Sequence, residues 1–223
     1  MTIFVAYVTI VTVLIFGGIF VLKSINKQVV RTRKWIFNAL LSLLGKKPYD
    51  EIKIANITEE AGVARQSFYR NFENKDDIVI KYIEMLFTEF ATEVNIRYKE
   101  VTPDYSELYA LFFETFLKNK EELLKLKRAS LSHLLHKTFL IYGNQINEEF
   151  FLDKQNQEER IFAEYFIKYQ IGGFIALTIE WIENDMRQTP YELGQIVKKI
   201  TEPFDREHYF LPFMIKKIKN LEM

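Results

Sequence analysis

The chain has 223 residues, 48% of them hydrophobic and 27% charged, which is ample for a packed core. It has no cysteine, so disulfides, thiolate metal sites and cysteine nucleophiles are excluded. Its net charge of zero hides an asymmetry: residues 23–75 carry eleven Lys/Arg against five Asp/Glu, and residues 76–223 carry nineteen against twenty-five. DNA affinity depends on where positive charge is concentrated, so the basic first part hints at nucleic acid.

The head, "MTIFVAYVTIVTVLIFGGIFVL", is uncharged and is followed by Lys23, Lys27, Arg31, Arg33 and Lys34. That length and polarity fit a transmembrane helix whose basic flank faces the cytoplasm. A cleaved signal peptide fits poorly, because the head lacks a basic start and a small-residue cleavage site. A third reading puts the translation start near Val21 or Leu22 and leaves the head untranslated. Membrane association is therefore expected only if residues 1–22 are translated and retained; otherwise the chain is expected in the cytoplasm.

Past the head the pattern is helical almost throughout, with no strand-like alternation bounded by hairpin turns, which predicts an all-α fold. In "VVRTRKWIFNALLSLLG" the residues Val30, Ile36, Phe37, Leu40, Leu41, Leu43 and Leu44 form a stripe expected to be buried. Gly45 is placed to end that helix in the left-handed conformation. "KKPYDE" reads as a turn. Two short helices follow, over about 54–61 and 65–72, separated by "GVA", and a longer one runs over about 75–99. "SELYALFFETFLKNKEELLKLKRA" and "LSHLLHKTFLIYGNQINEEFF" supply further helices, with a loop around "LDKQNQ", and the strongly apolar "EERIFAEYFIKYQIGGFIALTIEWIEND" predicts a long one. At "TPYE", Thr189 suits a cap, Pro190 the first helical position and Glu192 the return contact of a capping box. The aromatic and basic "FDREHYFLPFMIKKIKNLEM" closes the chain.

The stretch that bears most on function is "PYDEIKIANITEEAGVARQSFYRNFENKDDIV". Ile54, Ile57 and Ala61 face inward on a first short helix, Gly62 turns the chain, Val63 fills the corner, and a second helix follows. This is helix-turn-helix spacing, in which the second helix enters the DNA major groove. Arg65, Gln66, Ser67, Tyr69, Arg70 and Asn71 lie on that second helix, and such side chains suit base edges and phosphate oxygens.

With "LLSLLGKKPYDEI", "ITEEAGV" and above all "SFYRNFENKDDIV", residues 28–90 resemble the TetR/AcrR family of transcriptional regulators. The resemblance implies a three-helix DNA-binding domain over residues 23–82 and a helical ligand-binding and dimerisation domain over 83–223, behind the apolar segment 1–22. It places Arg65, Gln66 and Arg70 toward bases, Ser67, Tyr69 and Asn71 toward phosphates, and Lys75 as a phosphate clamp at the next helix start, where backbone N–H groups already favour an anion. Phe68 and Phe72 are expected to pack inward. The chain departs from the family at Lys53 and Ala64, which stand where a capping Ser or Thr is common; losing such a cap costs about 1 kcal/mol. Lys53 either reaches a phosphate or stays solvated.

More loosely, residues 108–200 resemble the C-terminal domain common among Firmicutes members, in which the last two long helices form a four-helix dimer interface. Gly172 and Gly173 suit close helix approach, across a dimer or within a subunit. The resemblance also implies an effector pocket for an unknown small molecule. Phe87, Phe90, Tyr98, Phe112, Phe113, Phe116, Phe139 and Tyr142 supply aromatic side chains there, although stripes at helical spacing more often form plain core. No cofactor is called for. His133 and His136 lie three apart, but no convincing third ligand accompanies them. With no Gly-rich phosphate loop or nucleophile elbow, an enzyme is not expected. The expected function is an effector-responsive repressor that binds a palindromic operator in double-stranded DNA as a homodimer. The alternatives are a coactivator acting through a protein partner and a membrane-tethered regulator.

Overall fold

A computed structural model describes residues 27–98, 104–151 and 157–201. The apolar head and the C-terminal tail lie outside the described residues. Among the described residues every regular element is a helix, and no helix is long and apolar enough to cross a membrane.

Helix α1 (Lys27–Leu44) buries Ile36, Phe37, Leu40, Leu41 and Leu43. Val30, expected in the same stripe, is 42% exposed. It lies one turn before the exposed Lys34, so helical register turns it to solvent. Gly45 follows α1 but does not take the left-handed form; Gly62 is the glycine with positive φ among the described residues, at 64°. Instead, the N–H groups of Lys46 and Lys47 both donate to the Leu43 carbonyl, and a 3-10 turn forms at Tyr49–Glu51.

Helices α2 (Ile54–Glu60) and α3 (Arg65–Tyr69) are shorter than their sequence patterns suggest. Ile57 and Phe68 are fully buried, and Ile54, Ala61 and Val63 pack partly against the same core. Helix α4 (Lys75–Arg97) starts at a reciprocal cap: Asn74 accepts from the Asp77 N–H at 3.0 Å, and the Asp77 carboxylate accepts from the Glu73 N–H at 3.1 Å. It runs unbroken through position 82, packing first on α1 and then on later helices.

"SELYALFFETFLKNKEELLKLKRA" forms two helices, α5 (Tyr105–Lys118) and α6 (Lys120–Arg128). The break is at Asn119, whose amide donates to the Thr115 carbonyl at 3.0 Å while its side-chain oxygen accepts from the Tyr82 hydroxyl at 3.1 Å. Asparagine competes for backbone groups in this way, and apolar periodicity does not report it. Helices α7 (Ser132–Phe151) and α8 (Gln157–Glu183) follow. Helix α9 (Pro190–Thr201) opens on the expected capping box: Thr189 Oγ1 accepts from the Glu192 N–H at 3.2 Å, and Glu192 accepts from the Thr189 N–H at 2.8 Å.

The second half is centred on interlocked rings. Phe112 stacks on Phe116 at 4.6 Å and meets Phe174 of α8 edge-on at 4.9 Å, and Phe87 meets Phe139 at 4.9 Å. Phe87, Phe90, Phe112, Phe113, Phe116 and Phe139 are all buried core, while the side chain of Tyr142 lies outside the described residues. Helix α9 crosses α5 closely at Gly194, where an added Cβ would lie 2.4 Å from the Ser106 carbonyl oxygen. Among the described residues Gly172 and Gly173 make no such approach, since a Cβ at either meets nothing within 4 Å.

Candidate nucleic-acid interface

Helix α3 has five residues, too few to be stable alone, so its position comes from tertiary anchors. Phe68 and Phe72, at 0% and 3% exposure, pin its inner side. With that side fixed, Arg65, Gln66, Tyr69 and Arg70 fall together on the exposed side. The Arg65 guanidinium lies 5.7 Å from the centroid of the Tyr69 ring and donates to the Tyr69 hydroxyl at 3.3 Å, so the two form one unit.

Ser67 and Asn71 sit lower, half-buried, at the flank. The Asn71 amide donates to the Ser67 carbonyl at 2.8 Å, closing the C-terminal end of α3. Lys53 is exposed at the start of α2. Neither Lys53 nor Ala64 makes a side-chain cap; the Lys53 N–H instead donates to Asn56 Oδ1 at 3.0 Å. Lys75 does not lie among the free cations. Its ammonium donates to the carbonyls of Tyr49, at 2.6 Å, and Ile52, at 3.1 Å.

Sequence reasoning gave no role to Tyr49 or Asp76, although the Tyr49 hydroxyl donates to Asp76 Oδ1 at 2.6 Å. Burial first, and then the Asp76 carboxylate, push the Tyr49 phenol well above its ordinary range. The signal for this pair, "PYDE" and "NKDD", is visible only when segments about 27 residues apart are known to meet.

A second surface lies on α8 and α9. Ile161, Tyr165 and Tyr169 recur every four residues along α8 and are 51%, 69% and 72% exposed, with Gly172 and Ala176 continuing the line. On α9, Tyr191, Ile196 and Ile200 are also exposed. His133 and His136 both face solvent, and no group of three metal-ligating side chains occurs among the described residues.

Residues 36–82 match the family described as "Bacterial regulatory proteins, tetR family", and residues 104–203 match "Transcriptional regulator C-terminal region". Over 75 residues, 33% of this chain, it is 32% identical to the uncharacterized HTH-type transcriptional regulator YxbF of Bacillus subtilis (strain 168), and the match spans 20% of that protein's length. Among solved structures, the dihydroxyacetone kinase operon activator DhaS is similar over 78% of this chain and 96% of its own, with 19% identity and a TM-score of 0.48. The fatty acid degradation regulator FadR of Bacillus halodurans is similar over 83% of this chain and 100% of its own, with 17% identity and a TM-score of 0.47. By the matches to both halves, the chain belongs to the TetR family of transcriptional regulators.

Proposed function

We propose that this DNA-binding regulator acts as a homodimeric, effector-responsive repressor of a palindromic operator. The observation that carries the DNA contact is the exposed face of α3, on which Arg65, Gln66, Tyr69 and Arg70 stand together above two buried phenylalanines. Arg65, Gln66 and Arg70 read base edges, and Ser67, Tyr69, Asn71 and Lys53 touch the phosphate backbone. The domain assignment stays as the sequence suggests, with the DNA-reading part ending near position 82 inside α4.

The homodimer reading is supported by the apolar line on α8 and α9, where Tyr165 and Tyr169 are 69% and 72% exposed and, among the described residues, a Cβ at Gly172 or Gly173 would meet nothing within 4 Å. Two copies joined there present two recognition helices to successive half-sites, about 34 Å apart on B-DNA. A small molecule binding in the helical second half changes that separation and releases the operator. The regulator works in the cytoplasm, where the chromosome is.

The test begins with duplex DNA of random sequence at low salt. Measurable binding that weakens steeply as salt rises is expected. Arg65→Ala and Arg70→Ala each lower affinity about tenfold or more, and Lys53→Ala reduces the salt slope by about one. Absence of affinity at low salt, or full affinity in the Arg70→Ala variant, overturns DNA reading by α3 and favours a coactivator that works through a protein partner. Mapping of bound chromosomal sites then supplies the operator.

A further inference from the structure

Lys75 and Asp76, the first two residues of α4, grip a single residue from the far side of the helix-turn-helix. Lys75 lies with its ammonium 3.9 Å from the centroid of the Tyr49 ring and donates to the Tyr49 carbonyl at 2.6 Å. Asp76 accepts from the Tyr49 hydroxyl at 2.6 Å. The Lys75 ammonium also holds the carbonyl of Ile52, a residue only 2% exposed.

We propose that Lys75, Tyr49 and Asp76 form a clasp that sets how α3 is presented to DNA, with Lys75 serving as a positioning residue and its ammonium not as a phosphate ligand. This rests on the reading of α3 as the DNA-contacting helix. The chain leaves the clasp at Ile52 and returns to it at Lys75, and both helices of the motif lie in between. A five-residue helix has no rigidity of its own, so its angle to the duplex is fixed by Phe68, by Phe72 and by the closed ends of this segment. Hydrogen bonds from a charged donor are roughly twice as strong as neutral ones, and removing the donor leaves the Ile52 carbonyl without its charged partner. An ammonium committed to two carbonyls and a ring face has one N–H left, too little for it to act as a free phosphate-binding cation.

A phosphate ligand and a clasp differ in one measurable way. Neutralising a phosphate releases counterions, so deleting a phosphate-binding lysine lowers the salt slope of binding by about one. Deleting a clasp shifts the whole salt plot without tilting it. For Lys75→Met on random duplex DNA, the expected result is about a tenfold loss of affinity with an unchanged slope. Tyr49→Leu gives a similar loss, and the double variant loses little more, because both changes open the same clasp. A slope reduced by about one in Lys75→Met, or additive losses in the double variant, overturns the proposal.

A second measurement does not depend on DNA. Amide hydrogen exchange across residues 53–72 quickens about tenfold in Lys75→Met and in the milder Tyr49→Phe, while exchange in α5 and α8 is unchanged. Unchanged exchange across 53–72 overturns the clasp, whatever the DNA result. Wild-type protein that fails to bind DNA overturns the reading of α3 and leaves this exchange test standing on its own.

Discussion

Gly62 and Gly45 are the same residue type in the same setting, just past the end of a helix, yet the chain uses them differently. Gly62 adopts φ 64°, in the left-handed region, and a Cβ there would meet nothing within 4 Å. Any cost of substitution is therefore a backbone cost with no steric part. Gly62→Ala is expected to destabilise the protein by about 1 kcal/mol, and Gly62→Asn by less, since Asn tolerates this region; urea unfolding of the two variants checks the order. Gly45 carries no such demand, because the turn after α1 closes through the Leu43 carbonyl. The sequence suggests a left-handed helix end at Gly45 and a turn at Gly62, and it is Gly62 that takes the left-handed form. The sequence misplaces the left-handed residue because that conformation depends on where the following helix must go. The exposed face of α3 was legible by local geometry: once Phe68 and Phe72 point inward, helical geometry alone assigns Arg65, Gln66, Tyr69 and Arg70 to the outside. The hold of Lys75 on Tyr49 and Ile52 is not legible in the sequence, because its partners are backbone carbonyls, which have no sequence signature.

At the scale of elements, the α5–α9 contact combines two devices that differ in legibility. The Thr189–Glu192 box starting α9 is a local pattern and was read directly. The closeness of the crossing at Gly194 was not, because sequence drew attention to Gly172 and Gly173 instead. Gly194→Ala raises helix propensity but forces the Ser106 carbonyl and Ala110 away. A loss of about 1–3 kcal/mol in unfolding free energy is expected, as for overpacked cores. The same contact carries a charge pair. Burial raises the Asp104 carboxyl, but hydrogen bonds from Lys198 and from the Ser106 hydroxyl and N–H outweigh it and hold the pKa below the usual carboxylate range. A depressed folded pKa means stability that is present above the unfolded pKa and is lost as pH falls through the folded one. Asp104→Asn keeps a capping oxygen and removes the charge. Its deficit against wild type, measured by thermal unfolding, is expected at neutral pH and should close as pH drops below about 4.

At the scale of the whole molecule, the line on α8 separates what a subunit needs from what an assembly needs. Glycine inside a helix costs about 1 kcal/mol relative to alanine, and two adjacent glycines bear that cost twice. Among the described residues nothing offsets it at Gly172 or Gly173, since a Cβ at either position would meet nothing within 4 Å. Tyr165 and Tyr169 stand on the same surface with most of their area in water. A second copy packed along this line would cover the tyrosines and exploit the bare backbone. Gly172→Ala then has two opposed effects: it strengthens the isolated helix and crowds the approach of a partner. Gly172→Leu and Tyr165→Asp should leave helical content unchanged, because both positions are exposed on α8 and neither belongs to the buried core. Both should convert a dimer to monomer by sedimentation, and both should lower affinity for a two-half-site duplex far more than for a single half-site. A subunit that sediments identically in wild type and in both variants would mean the line is ordinary solvent surface, and the glycines would then have to be explained inside α8 itself.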